Sequence, residues 1–170
     1  MKVRISKYNP AFRMNGIYTV PDWTCVSDIG EEFAGVKLSK DMYLNVESQY
    51  LACLNELILL SKTNSMQITA FERGPRQGLL FAFQMTHLLN CGLYFFRPVQ
   101  WRKGQMLSLS EVKSFIMDSL REKCWGRLCS DSMALDVGYD YYVHLDTSLS
   151  LESVQRVVSK YGLYLDRIHE

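Results

Sequence analysis

The stretch from Met133 to Asp146, MALDVGYDYYVHLD, decides the fold. Its odd positions, Met133, Leu135, Val137, Tyr139, Tyr141, Val143 and Leu145, are apolar, while the even ones include Asp136, Gly138, Asp140, Tyr142, His144 and Asp146. A period of two places alternate side chains on opposite faces of an extended chain, so the stretch reads as strand. It exceeds the usual strand length of about 5–6 residues, which predicts a bulge or tight turn at Gly138, where a residue without Cβ can take positive φ. A turn there would change the facing of the second half. The outward face reads as acidic and aromatic, suited to meeting something basic; an ordinary half-wet antiparallel strand with solvated acids gives the same pattern.

Outward from this stretch, the chain alternates strand and helix signals. Lys2 to Tyr8 reads as a strand with Val3 and Ile5 inward, followed by a loop that ends on the Asn15-Gly16 turn signal and a short extended piece from Ile17 to Val20. Ser27 or Asp28 is placed to cap a short helix bearing Glu31 and Glu32 near its positive end, with Gly35 closing the turn. The clearest helix begins at Ser39 and runs to about Lys62, with Tyr43, Val46, Tyr50, Leu54, Leu57 and Ile58 in one stripe. Glu47 lies beside that stripe and needs donors, a tyrosine, indole or backbone amide.

Met66 to Glu72 resembles a strand, and Leu80 to Leu89 with Leu93 to Arg97 reads as a hairpin. Ser108 and Glu111 have capping-box spacing. The helix they open carries Val112, Phe115, Ile116, Ser119, Leu120 and Cys124, continued by Trp125 and Leu128. Ser148 or Ser150 caps a last helix from Leu151 to Lys160, Gly162 ends it, and Leu163 to Ile168 returns as a strand. The expected fold is α+β: a mostly antiparallel sheet of about five or six strands packed against three main helices, in one domain over residues 1–170.

Composition narrows function. Apolar residues at 48% and charged residues at 22% fit a folded globular chain, and a net charge of +1 argues against general nucleic-acid binding. The charge is uneven: residues 1–61 carry 7 acids and 6 bases, residues 62–127 carry 4 and 10, and residues 128–170 carry 7 and 3. That leaves room for an acidic patch that steers a cationic partner, unless folding pairs the basic middle with the acidic end. Five unpaired cysteines and no hydrophobic leader before Asn9-Pro10 suit a reducing cytoplasm. The most apolar stretch, Leu79 to Phe96, is broken by polar residues and makes no comfortable membrane span.

Catalytic signatures are missing. No glycine-rich phosphate loop occurs, and the three histidines lack metal-ligand spacing, so no cofactor, metal ligand or catalytic residue is assigned. Cys25 beside a helix start, with His144 brought near by folding, would make a thiol hydrolase; a small-molecule binding module lined by Tyr and Phe is the other rival. Aspartates next to Tyr139, Tyr141 and Tyr142 would repel phosphates and so disfavour direct nucleic-acid contact.

Three separated segments, Trp23 to Gly30, Leu120 to Trp125 and Gly138 to Tyr142, together resemble bacterial immunity proteins encoded beside polymorphic toxins, including those of contact-dependent growth inhibition systems. The likeness spans roughly residues 1 to 168. Cys25 stands where the family has serine, Gly126 where it has cysteine, and Val143-His144 where it has Met-Tyr. The resemblance implies a cytoplasmic, non-enzymatic protein that binds the toxic C-terminal domain of a cognate effector, often a nuclease. A nuclease presents cations to hold phosphates, so carboxylates and rings suit its cleft. The candidate contact residues are Asp136, Asp140, Tyr142, His144 and Asp146, with Glu31 and Glu32 as a second patch.

Overall fold

The computed structural model describes residues 1–74, 100–138 and 140–167. Its main sheet has seven described strands: β1 (Lys2–Ser6), β6 (Ser65–Arg73), β7 (Met106–Ser108), β8 (Cys124–Cys129), β9 (Met133–Val137), β10 (Tyr142–Thr147) and β11 (Tyr164–Arg167). They lie in the order β11-β1-β10-β9-β8-β6-β7, and every pair of neighbours is antiparallel. Two small hairpins stand apart, β2 (Arg13–Met14) with β3 (Ile17–Tyr18) and β4 (Glu32–Phe33) with β5 (Val36–Lys37). The α+β expectation is met, with a sheet one strand wider than expected.

The Met133–Asp146 stretch folds as a hairpin. Val137 pairs with Val143 and Leu135 with Leu145, so the odd positions face one side on both strands. Three residues separate Gly138 from Tyr142, and an odd number of turn residues preserves the alternation that a single long strand would show. The Gly138 amide donates to the Tyr142 carbonyl at 2.9 Å. Positive φ falls on Asp140 (59°) and Tyr141 (61°), not on Gly138.

Three helices cover the face that bears Val3, Ile5, Leu135, Val143 and Leu145: α1 (Lys40–Leu60), α2 (Leu109–Leu120) and α3 (Leu151–Lys160). Each starts on a serine. Ser39 accepts from the Met42 amide at 3.2 Å, Ser150 from Ser153 at 3.2 Å, and the Glu111 carboxylate takes the Ser108 amide at 2.8 Å. Tyr43, Tyr50, Leu54 and Leu57 of α1 are fully buried, each contributing about 1.5–3 kcal/mol of apolar burial or more. Val46 is only half-buried; the buried neighbour is Glu47.

Two expectations need correction. The second helix stops at Leu120, and Cys124, Trp125 and Leu128 lie on β8. Glu122, at φ 56°, turns the chain out of the helix. Glu31 and Glu32 are not on a helix: only a short 3-10 turn forms at Val26–Asp28, and the chain then enters the β4–β5 hairpin, which turns at Ala34 (φ 50°) and Gly35 (φ 81°). The hairpin expected over 80–97 lies outside the described residues.

Candidate functional site

The outward sheet face carries most of the candidate residues, in rows set by strand register. Asp136 sits between Arg127 and His144, His144 lies against Arg4, and Arg4 against Asp166. In the next row Lys2 opposes Asp146. The face expected to be acidic is therefore of mixed sign, because β1 and β8 bring cations between the aspartates of β9 and β10. Asp136 pairs with Arg127 at 3.2 Å and Asp146 with the N-terminal amine at 3.5 Å. Both carboxylates remain two-fifths or more exposed, at 41% and 44%, so neither pair seals its acid from a partner.

Asp136, His144 and Asp146 line one depression of about 200 Å³ with Lys2 and Arg127. Burial, and then the Arg4 guanidinium, hold the His144 imidazole below its ordinary pKa, opposed by Asp136. Tyr142 continues β10 but is half-covered: its hydroxyl accepts from Arg13 at 3.0 Å, its ring lies 5.3 Å from Tyr8, and Arg4 stacks 4.6 Å above it. Asp140 sits on the β9–β10 turn; Glu31 precedes the β4–β5 hairpin and Glu32 begins its first strand, both exposed. Of the seven candidates, the fold gathers three into one depression, sets Tyr142 beside them, and leaves three elsewhere.

A second assembly joins the three segments that carry the family resemblance. Tyr141 is buried against Trp23 (4.9 Å between centroids), Tyr50 (5.4 Å) and Tyr43 (6.1 Å). The Tyr50 hydroxyl donates to the Tyr141 carbonyl at 2.6 Å, which helps fix a bulky residue in the left-handed region. Tyr43 donates to the Leu120 carbonyl and to Glu47, both at 3.3 Å. Arg121 then grips Glu47 through two charge-assisted bonds of 2.6 and 2.7 Å.

The partner of Glu47 is thus an arginine as well as the expected tyrosine. The pair is 74 residues apart in sequence, so helical spacing gave no signal for it. Beside this cluster, burial pushes the Glu122 carboxyl above the usual range, reinforced by Asp28 and Asp140. In sequence Glu122 is one ordinary acid in a run that continues a helical pattern, and nothing there marks it.

Cys25, Cys53 and Cys124 are poorly placed for nucleophilic chemistry. Burial pushes Cys25 up to about 11 and Cys53 and Cys124 up to about 12, the opposite of activation. Cys25 faces Ser27 at 3.0 Å, with Asp28 and Glu122 nearby, while His144 stands on the outward sheet face between Arg4 and Asp136. Among the described residues no group of three His, Cys, Asp or Glu side chains is arranged to hold a metal ion, and no helix is long and apolar enough to cross a membrane. No family model, curated protein or solved structure matches the chain.

Proposed function

We propose that this is an immunity protein that binds the toxic domain of a cognate bacterial effector, a cationic nuclease, and neutralises it by covering the active site or substrate cleft. The observation that carries the proposal is convergence. Residues 23–30, 120–125 and 138–142, picked out by their resemblance to one family, pack into a single cluster through Trp23, Leu120, Arg121 and Tyr141. The cluster serves the shared fold, and the open sheet face beyond it is free to differ between family members.

That face suits a protein better than a small molecule. Its depression of about 200 Å³ is smaller than ligand pockets, which run to about 300–1,000 Å³. Charges of alternating sign, Arg127, Asp136, Arg4 and Asp166, favour a partner with the complementary pattern and penalise others, which gives specificity more than raw affinity. The thiols held in the neutral form argue against the hydrolase alternative.

A cell-protection assay tests the proposal. Expression of this chain should rescue a susceptible bacterium from the toxic domain encoded immediately upstream of its gene. Continued killing at full expression would overturn it.

A further inference from the structure

The β2–β3 hairpin has its two faces reversed relative to an ordinary surface hairpin. Arg13 and Tyr18 are cross-strand partners on one face, and Met14 and Ile17 are partners on the other. The first face lies on the main sheet. Arg13 donates to the Tyr142 hydroxyl at 3.0 Å and pairs with Asp166 at 3.2 Å, and the Tyr18 ring sits 4.9 Å from Tyr8. The opposite face is in water, with Ile17 71% and Met14 68% exposed, and Phe12, just before the hairpin, is 51% exposed. Phe12 ends the short 3-10 turn that leads into β2, and its carbonyl accepts the Thr19 amide at 3.0 Å.

Isolated exposed apolar side chains need no explanation; three within six residues at a two-stranded tip do. Nor is the tip loosely attached. Asn15 (φ 51°) and Gly16 (φ 80°) form the tight turn that matches strand twist, and the Arg13 contacts fasten it to β10 and β11.

We infer that this hairpin is the apolar anchor of the interface, seated in an uncharged hydrophobic cleft of the toxic domain. The inference rests on the immunity reading above. Two observations select this occupant. The only charge on the hairpin, Arg13, is turned inward and engaged by Asp166 and Tyr142, so the outer surface offers nothing to a charged cleft. The three side chains, at the exposures given, leave roughly 350–400 Å² of apolar surface in water, taking about 200 Å² for a large side chain. A two-fold contact of this patch with itself falls well short of the ~800 Å² per partner of a standard interface. A different protein can extend the contact onto the adjoining face, from Tyr142 to His144 along β10, and so meets an apolar centre with a polar rim.

The test compares wild type with the double variant Met14→Ser, Ile17→Ser and the conservative double variant Met14→Leu, Ile17→Leu. Affinity for the toxic domain encoded upstream is measured by biolayer interferometry, with melting followed by circular dichroism. The serine variant should melt as wild type does and bind about 100-fold more weakly, as loss of two central anchors implies, while the leucine variant binds within a few-fold of wild type. Serine-variant affinity equal to wild type would overturn the anchor and leave the immunity reading standing. Failure of wild type to bind would end both. Concentration-dependent dimerisation, or flotation with phosphatidylglycerol vesicles, lost in the serine variant while toxin affinity is kept, would assign the tip to a second copy or a lipid surface and overturn the inference.

Discussion

Arg121 and Glu47 show how a charged residue becomes part of a core. Both are buried, and each satisfies the other through a bidentate contact that also receives Tyr43. Removing one member strands the other without water, so Arg121→Ala should destabilise the fold by about 3–5 kcal/mol in urea denaturation. A loss under about 1 kcal/mol would show that the pair is dispensable. Glu122 obeys the opposite logic. Its folded pKa is raised, so its ionised form costs stability at neutral pH, and that cost fades as pH falls through the folded value toward the unfolded carboxylate near ~4.3. Glu122→Gln should therefore raise the melting temperature at pH 7 and lose its advantage below about pH 4.5. A gain that persists unchanged at pH 4 would contradict that account. The need of Glu47 for donors was legible in the sequence; its arginine partner 74 residues away and the burial of Glu122 were not, being facts of packing rather than of pattern.

Among the elements, those with strong local signals were readable. Capping serines and three-to-four periodicity located α1 and α3, and alternation located β1, β9 and β10. The helix–strand boundary after Leu120 was not readable, since Cys124, Trp125 and Leu128 continue the helical spacing and the break falls on a glutamate instead of the glycine or asparagine that usually marks one. Alternation could not distinguish one long strand from a hairpin with an odd turn, because both keep the same residues inward. Gly126 on β8 reports the correct assignment: a Cβ there would run into the Ala70 carbonyl and stand 3.0 Å from the Phe115 ring of α2. Gly126→Ala should cost about 1–3 kcal/mol by overpacking, measured by chemical denaturation. A neutral result would mean that β6 and α2 yield more readily than this packing implies.

At the scale of the described residues, three helices cover one side of a seven-stranded sheet and none covers the other, which has an apolar hairpin at one end. Strand order decides the character of that open side. In sequence, Asp136, His144 and Asp146 make an acidic stretch; in the sheet, Arg127, Arg4 and Lys2 stand opposite them. No periodicity within β9 and β10 could reveal which strands would become their neighbours. The proposed function accordingly depends on a patterned surface rather than a uniformly negative plug, and its affinity should fall only modestly with salt. The most direct measurement is calorimetric titration of the purified protein into the toxic domain encoded upstream, with residual toxin activity followed in the same samples. The account predicts a one-to-one complex and activity that vanishes at the equivalence point. No heat of binding, with full toxin activity at several-fold excess of this chain, would contradict it.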